Sequence, residues 1–309
     1  MRISVVIPTL NAAGYLPNLV AALRDQSEPP AEIIIVDSSR DQHTVSVAST
    51  LGCSPTSIPP STFSHGGSRN QGAGLAGGDV IVFMTQDVQP ADRFFLERLV
   101  APIRAGQSMG AFARQIAHPW APAREVFLRN HTYPSVSRCR DSTAVRSEGI
   151  RAYYFSNAAS AVARDEFLEL GGFDTNVVMN EDVAFCAKAL GAGKRIAYVA
   201  EAVVLHTHNY GLIRHFKRFF DTGTFSSVYG DRLGCKVTSR EGVEFLKGLM
   251  TFLWSTGRRT EIPVALAECA SKWAGLRMGA YAARHPSTFW HRFSNNPAYW
   301  LAAGATPPA

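Results

Sequence analysis

Three aspartates stand where a carboxylate can do chemistry. Asp37 ends a run of apolar residues, Asp87 closely follows another, and Asp182 stands beside Glu181 at the predicted start of a helix. An ionised carboxylate accepts hydrogen bonds, binds hard divalent cations and takes protons from hydroxyl groups. Transfer of a group from a nucleotide diphosphate uses all three abilities, because a base must be recognised, phosphate charge neutralised and a nucleophile activated.

At the end of its predicted strand, Asp37 can accept a hydrogen bond from the N3–H of a uracil or thymine ring. The competing interpretation is a helix N-cap or an ordinary loop residue, since aspartate is favoured at both positions. The residue type by itself leaves both interpretations open.

The segment Thr85-Gln86-Asp87 holds one carboxylate, and hard oxygen ligands of this kind suit Mg²⁺ or Mn²⁺ bridging two phosphate oxygens. A metal ion there would stabilise the negative charge of a departing diphosphate. His206 or His208, which follow a later strand, can complete the coordination through an imidazole nitrogen. The competing interpretation is that alternate residues of a strand end point the same way by chance.

Glu181 and Asp182 open a helix that is predicted to run to Leu190, with Gly191 and Gly193 as its stop signal. Either carboxylate can act as the single general base that a direct displacement with inversion requires. The helix dipole also favours acidic residues at this position whatever their function.

A glycine-rich segment, Ser64-His65-Gly66-Gly67-Ser68-Arg69, is predicted to form a loop before a helix over residues 70–76. Backbone N–H groups of such a loop, together with the Arg69 guanidinium, are donors that suit a diphosphate. The segment therefore adds candidate contacts to a phosphorylated ligand.

The elements that position these residues alternate between strand and helix. Apolar runs over residues 3–7, 32–37 and 79–84 predict buried strands, with helical spacing between them. Such alternation predicts an α/β fold with a doubly wound, mostly parallel sheet, whose ligands bind beyond the carboxyl ends of the strands.

Later in the chain the pattern changes. Residues 106–152 show weak patterning, which predicts loops, short elements and an acceptor-facing insertion, and residues 195–205 predict one more strand. The remainder is mostly helical in pattern, so we expect a catalytic domain over residues 1–225 and a helical C-terminal extension over residues 226–309.

Composition limits the classes of protein to consider. The 309 residues are 46% hydrophobic and 18% charged, which is typical of a folded chain, and the apolar runs are too short to span a membrane. The amino terminus lacks a secretory signal and the five scattered cysteines lack a C-x-x-C pair, so we expect a cytoplasmic protein with reduced thiols. The net charge of +6 favours anionic partners, but no nucleic-acid recognition motif is present.

These residues resemble the inverting family-two glycosyltransferases with the GT-A fold, and within them the bacterial rhamnosyltransferases. The resemblance covers residues 3–225. Its segments are two nucleotide-binding strand ends (5–11 and 34–39), a rhamnosyltransferase loop (63–70), the place of the Asp-x-Asp motif (83–87), and an acceptor-site signature with its base (171–174 and 180–182).

The resemblance implies that Asp182, with Glu181 beside it, is the general base, and that Asp87 binds Mg²⁺ or Mn²⁺ with His206 or His208. Thr85 stands where the family has the first aspartate of Asp-x-Asp, which leaves a single motif carboxylate for the metal. The donor contacts that the resemblance implies are Pro8, Thr9, Asn11, Asp37, Ser39, His65, Arg69 and Gln86.

The substrates also follow from the resemblance. It implies transfer of L-rhamnose from dTDP-rhamnose to a hydroxyl group of a cell-surface saccharide or a lipid-linked acceptor. The alternatives are another UDP- or dTDP-sugar in the same class of enzyme, and a non-catalytic nucleotide-sugar-binding protein. A dinucleotide-binding dehydrogenase is excluded because G-x-G-x-x-G does not follow the first strand.

Tryptophans and arginines interleave between Gly242 and Phe293. This composition suits the interface of a membrane, where lipid-linked acceptors reside, and predicts peripheral contact with the inner face of the cell membrane. The competing interpretations are core packing and contact within a homodimer.

Overall fold

The computed structural model describes residues 1–230 and 239–303. Its chain forms two compact units. The first comprises residues 1–118, 133–175 and 182–206, and the second comprises residues 119–132, 176–181 and the chain from 207 onward. The domain boundary expected at residue 225 stays a prediction, because each of the two units is made of several separate segments of the chain.

A mixed sheet of nine strands forms the centre of the first unit, counted over the described residues. The strands lie in the order β3-β2-β1-β4-β8-β6-β9-β5, and β7 pairs with β9. Their bounds are β1 Ile3–Thr9, β2 Glu32–Asp37, β3 Ser54–Ser57, β4 Val80–Met84, β5 Gln89–Pro90, β6 Gly110–Ile116, β7 Arg138–Arg140, β8 Ala159–Ala163 and β9 Ile196–Leu205.

The helices of the first unit lie between these strands, and those of the second unit make up most of its regular structure. In chain order the helices are α1 Leu16–Arg24, α2 His43–Thr50, α3 His65–Leu75, α4 Phe95–Arg104, α5 Ala123–Thr132, α6 Ala144–Glu148, α7 Arg164–Glu169, α8 Glu181–Gly191, α9 Leu212–Tyr229, α10 Ser239–Ser255, α11 Ile262–Arg284 and α12 Pro297–Ala303. The predicted helical C-terminal part is confirmed.

The parallel half of the sheet is the part that the sequence pattern predicted. β1 pairs in parallel with β2 and β4, and β2 with β3. β4 is buried along its whole length and β1 and β2 along nearly all of theirs, because helices cover both faces of such a sheet. The carboxyl ends of β1, β2 and β4 therefore lie side by side, and the α/β prediction is confirmed.

The part of the sheet that contains antiparallel pairs differs most from the sequence prediction. Residues 106–152 were predicted as loops and short elements, but β6 is a buried strand of seven residues that pairs antiparallel with β8 and in parallel with β9. Both β6 and β8 are rich in alanine, with glycine or serine, and these residues have little intrinsic preference for strands. Their place in the middle of a sheet, where neighbours supply the packing, overrides that weak preference.

The pairing of β6 with β9 has one irregularity. Ala113 is paired with Val199 and the next residue, Arg114, with Val203, so β9 carries three more residues than β6 at this point. Beyond the irregularity the two strands resume regular pairing up to Leu205.

In the second unit, α9 and α11 pack so closely that glycine is required at their crossing. A Cβ atom at Gly223 would lie 2.1 Å from the carbonyl oxygen of Leu276 on α11. A Cβ atom at Gly279 would lie 1.9 Å from that of Phe220 on α9. No helix of the described residues is long and apolar enough to cross a membrane.

Reduced thiols were expected for the cysteines, four of which are among the described residues. Cys53, Cys139, Cys186 and Cys269 are free thiols, and burial raises the pKa of Cys186 to about 12. Cys235 lies outside the described residues.

Candidate active site

The end of β2 is a closed network of hydrogen bonds around Asp37. Thr9, which faces Asp37 in the parallel pairing, donates its hydroxyl to the carboxylate at 2.7 Å. Ser39 donates its hydroxyl at 2.9 Å and its amide at 3.2 Å. Asp37 is 1% exposed. The carboxylate thus accepts three hydrogen bonds from its own chain, which ties the loops after β1 and β2 together.

The loop after β1 is fixed by contacts on both sides. Asn11 adopts a left-handed backbone with φ of 52°, and its amide donates to the Ser39 hydroxyl at 2.7 Å. The Gln86 side chain exchanges two hydrogen bonds with the backbone of Leu10, at 2.8 and 3.1 Å. Pro8, paired with Val36, immediately precedes this loop. Gln86 therefore joins the loop after β1 to the loop after β4.

An open cleft of about 810 Å³ lies beside this network. Ser39 belongs both to the hydrogen bonds of Asp37 and to the wall of the cleft. The other lining residues are Arg40, Gln42, Ser57, Ile58, Pro59, Pro60 and Ser61. The cleft is at the carboxyl ends of β2 and β3, which is where ligands bind in open α/β sheets.

The glycine-rich segment is not a loop, which corrects the prediction. It forms the first turns of α3, whose N-cap is Ser64 with its side chain accepting from the Gly67 amide at 3.0 Å. The N-cap serine satisfies a backbone donor of the first turn, so the helix starts before the glycines. A Cβ atom at Gly66 would lie 2.4 Å from the Asp174 carbonyl oxygen. Close packing therefore accounts for this glycine.

Two predicted donor residues lie on α3. Arg69 is 4% exposed and donates to the His65 carbonyl at 3.0 Å, whereas His65 is exposed. On the same helix, the Asn70 side chain exchanges hydrogen bonds with the backbone of Phe173 at 2.8 and 2.9 Å. α3 thereby holds the turn that the sequence singled out over residues 171–174.

At the end of β4 the arrangement is open. Asp87 has 35% of its side chain exposed, and its Oδ2 lies 3.5 Å from Nε2 of the buried His206. Nδ1 of His206 lies 2.7 Å from Oε1 of Gln115, and Nε2 of Gln115 donates to the Ser156 hydroxyl at 2.8 Å. Gln115 is 2% exposed on β6 and was not predicted as a site residue. A glutamine within a buried strand is the signal that could have revealed it.

These atoms suit a divalent cation. With the Gln115 amide oxygen as acceptor, Nδ1 of His206 carries the proton and the lone pair of Nε2 is on the side of Asp87. Two ligands at about 2.1 Å from one ion lie roughly 3 to 3.5 Å apart when their angle is about 90° to 110°. The 3.5 Å separation of Nε2 and Oδ2 is within that range. Imidazole and carboxylate are both ligands for first-row divalent metals.

His208 belongs to the second unit. Its amide donates to the Glu125 carboxylate at 3.3 Å, and its ring stacks on Tyr210 with 4.5 Å between centroids. Glu125 is buried and forms a 2.8 Å ion pair with Arg129. Contacts within the second unit therefore fix the backbone and ring of His208.

The two acidic residues at the start of α8 differ in access. Asn180, with a left-handed φ of 62°, turns the chain into the helix. The Asp182 carboxylate is partly exposed. It accepts hydrogen bonds from the backbone amides of Asn157, at 3.2 Å, and Val183, at 2.9 Å. Glu181 is 5% exposed. Of the two, Asp182 has the better access to a hydroxyl group of an acceptor.

The family model described as Glycosyl transferase family 2 matches residues 4–170. The matched part contains β1, β2 and β4 with the loops that follow them. It ends before α8 and β9, so Asp182 and the two histidines lie beyond it.

Two curated relatives are similar over nearly the whole chain. The O-antigen chain rhamnosyltransferase RfbN of Salmonella typhimurium is 34% identical over 306 residues, which are 97% of this chain and 96% of that protein. The O-antigen chain rhamnosyltransferase WbaN of Salmonella anatum is 32% identical over 303 residues, 96% and 95% of the two chains.

Among solved structures, a mannosyltransferase from Pyrobaculum calidifontis in complex with GDP-Man and Mn²⁺ has a similar fold. The TM-score is 0.55 at 17% sequence identity, and the match covers 99% of this chain and 86% of that one. At this identity the similarity concerns the fold.

Proposed function

This chain belongs to glycosyl transferase family 2 and is a glycosyltransferase with the GT-A fold, and we propose that it transfers L-rhamnose from dTDP-rhamnose with inversion. The acceptor is a hydroxyl group of a growing cell-surface saccharide. The observation that carries the sugar and the acceptor is the near-full-length similarity to two O-antigen chain rhamnosyltransferases.

The test is a donor panel with the purified protein. We expect turnover with dTDP-rhamnose and a saccharide acceptor, and at least about tenfold less with UDP-glucose, UDP-N-acetylglucosamine or GDP-mannose. Turnover with one of these other donors alone would discard rhamnose and keep the enzyme class. The Asp182→Asn variant is the control for contaminating activity.

We propose that the enzyme uses Mn²⁺ or Mg²⁺ held by Asp87 and His206, with His208 as the third ligand that the sequence predicts. The separation of the Asp87 and His206 ligand atoms supports this assignment, and His208 is two residues from His206 along the chain. Two imidazoles favour Mn²⁺ over Mg²⁺. When bound, the ion would stabilise negative charge on the departing diphosphate. Full activity in excess chelator would contradict the metal proposal.

The donor is proposed to occupy the cleft beside Ser39. Asp37, Thr9 and Asn11 shape its edge through the hydrogen bonds described above. The remaining predicted donor contacts are Pro8, His65, Arg69 and Gln86; of these, Gln86 supports the cleft through the backbone of Leu10.

Asp182 is proposed as the general base. Its carboxylate is partly exposed, and two amides hold it at the start of α8. It would take the proton from the acceptor hydroxyl as the oxygen attacks the anomeric carbon, and one base suffices for inversion. Glu181 is the weaker candidate because it is buried.

We also propose that the second unit contacts the inner face of the cell membrane, where a lipid-linked acceptor would reside. On α11, Leu266, Trp273 and Tyr281 are 45%, 66% and 55% exposed, and Arg277 is exposed among them. The acidic residue of this helix, Glu268, is buried. Aromatic and cationic side chains on one face suit an anionic lipid surface.

Sedimentation with vesicles tests the membrane proposal. We expect binding to vesicles that contain phosphatidylglycerol, and at least about fivefold weaker binding by the double variant Trp273→Ser and Arg277→Gln. Trp120→Ser is the matched control, because Trp120 is 67% exposed and lies outside α11. Equal binding by the double variant would contradict the proposal, and concentration-dependent dimerisation lost in that variant would assign this face to a homodimer.

A further inference from the structure

We propose that Gln115 is a positioning residue that fixes the protonation and orientation of His206 for metal binding. The proposal depends on the proposed metal site at Asp87 and His206. It concerns a residue of β6 that is not part of the motifs found in the sequence.

The two ends of the Gln115 amide contact Ser156 and His206. Its amide nitrogen donates to the Ser156 hydroxyl at 2.8 Å, so its amide oxygen is turned towards Nδ1 of His206 at 2.7 Å. An amide oxygen only accepts, so in this orientation of Gln115 the imidazole carries its proton on Nδ1. The lone pair of Nε2 is then directed to the side of the ring on which Asp87 lies.

The backbone reinforces this arrangement. Beyond the irregularity in β9, Gln115 is paired with Val204 and Ile116 with Leu205. The amide of His206 donates to the Ile116 carbonyl at 2.9 Å, which continues the pairing by one residue. Backbone and side chain of His206 are thus both held by adjacent residues of one buried strand.

The same side chain connects the metal side of the site to the base. Ser156, which receives the amide of Gln115, is followed by Asn157, and the Asn157 amide donates to Asp182 at 3.2 Å. The Tyr133 hydroxyl lies 3.5 Å from the Ser156 hydroxyl and 2.8 Å from the Tyr154 hydroxyl. These polar groups therefore form one connected chain within the first unit. Gln115 therefore stands between the proposed metal ligand and the loop that holds the proposed base.

A purely structural role would be that Gln115 satisfies buried polar groups and nothing more. Gln26 provides the matched comparison in the same unit. It is 5% exposed, its amide nitrogen donates to two carbonyls at 3.0 Å, and its oxygen accepts from the Leu96 amide at 3.0 Å. Removing either glutamine should cost stability, but only Gln115 should affect the metal.

The first measurement is the tautomer of His206 in the metal-free full-length protein, by nitrogen-15 NMR of histidine-labelled samples. The signal is assigned by its loss in His206→Gln. We expect the proton on Nδ1 in the wild type and in Gln115→Glu, whose carboxylate also accepts, and a shift towards the proton on Nε2 in Gln115→Leu. A proton on Nε2 in the wild type would overturn the proposal, whether or not metal binds.

The second measurement is Mn²⁺ affinity by calorimetry. Partners that orient a metal-binding histidine typically change affinity by about 10- to 100-fold, so we expect that loss in Gln115→Leu, near-wild-type affinity in Gln115→Glu, and no loss in Gln26→Leu. Equal affinity of Gln115→Leu and wild type would overturn the proposal. If wild type binds no Mn²⁺ while its tautomer responds to Gln115 as expected, the proposed metal site fails and the positioning of His206 stands.

Discussion

Asp37 is the last residue of β2 and Asp87 follows β4 by three residues, yet the surroundings of these two aspartates differ. Asp37 is 1% exposed and accepts three hydrogen bonds from its own loops. Asp87 has 35% of its side chain exposed and faces a histidine nitrogen at 3.5 Å. A carboxylate whose acceptor sites are occupied by its own chain mainly stabilises loops, whereas a partly exposed carboxylate beside a basic nitrogen is placed to bind a ligand.

The difference divides the work of the site. In the proposed mechanism, the Asp37 region maintains the shape of the donor cleft, whereas the Asp87 region, with Asp182 of the same unit, would be where charge and protons change during transfer. The two regions meet at Gln86, which precedes Asp87 and forms two hydrogen bonds with the backbone of Leu10. The following predictions test this division.

The largest effect is expected for Asp182→Asn. Loss of a positioned general base lowers rates by about 10²- to 10⁴-fold, so kcat should fall by that factor while the Kd for the donor changes less than about threefold. Steady-state kinetics and calorimetry with dTDP-rhamnose measure the two quantities. Glu181→Gln is the control and should lose less than tenfold; a wild-type kcat in Asp182→Asn would falsify the assignment.

The next largest effect is expected for Asp87→Asn. Loss of metal assistance worth several kcal/mol corresponds to about 10²- to 10³-fold in kcat/KM at a fixed Mn²⁺ concentration. Raising the Mn²⁺ concentration should restore part of the activity, because the histidines remain. Asp79→Asn, at an exposed carboxylate before β4, is the control and should behave as wild type. Unchanged Mn²⁺ dependence in Asp87→Asn would place the metal elsewhere.

Asp37→Ala should act on stability more than on chemistry. The hydroxyls of Thr9 and Ser39 lose their acceptor, and leaving buried groups unsatisfied costs about 1–3 kcal/mol of unfolding free energy. Denaturant unfolding measures the loss, with Asp87→Ala as the comparison that should lose less. If Asp37→Ala keeps its stability but binds the donor at least tenfold more weakly, Asp37 contacts the base directly and the division between the two regions is wrong.

The smallest effect concerns Asp221, a buried carboxylate of the second unit. Burial raises the pKa of Asp221 to about 7, although the Ser294 hydroxyl and the Asn295 amide donate to it. An unfolded aspartate loses its proton near about pH 4, so between about pH 4 and pH 7 the folded state holds more protons and stability falls as pH rises. Between about pH 6 and 7.5 the loss is roughly 1 kcal/mol.

Unfolding by denaturant at a series of pH values measures this dependence. Asp221→Asn should remove the part of the slope that this residue contributes, because an asparagine does not titrate. An identical slope in the variant and the wild type would show that Asp221 is ionised throughout the range.

Much of the fold could be predicted because its strands are short runs of β-branched residues. β1, β2, β4, α8 and β9 all lie within a few residues of their predicted positions. β6 and β8 could not be predicted, since alanine and glycine carry no strand signal and the sheet around them supplies the preference.

The site was predicted unevenly for a related reason. Carboxylates and histidines at strand ends can be recognised in the sequence, so Asp87 could be matched with His206 or His208 from the sequence alone. What surrounds each of them could not, because Gln115 is 91 residues from His206 and Asn157 is 25 residues from Asp182. The sequence shows the reactive groups, whereas long-range pairing decides which of them are held, buried or saturated.

The three extra residues in β9 have a consequence for how this protein can change. Side chains of a strand alternate between its two faces, so the number of residues before His206 decides which face its ring occupies. A substitution at the exposed Glu201 should be tolerated. Deletion of one of the residues 200–202 would instead turn the His206 ring away from Gln115. Calorimetric Mn²⁺ titration of Glu201→Gln and of the deletion would compare the two. In this stretch, length is constrained more tightly than composition.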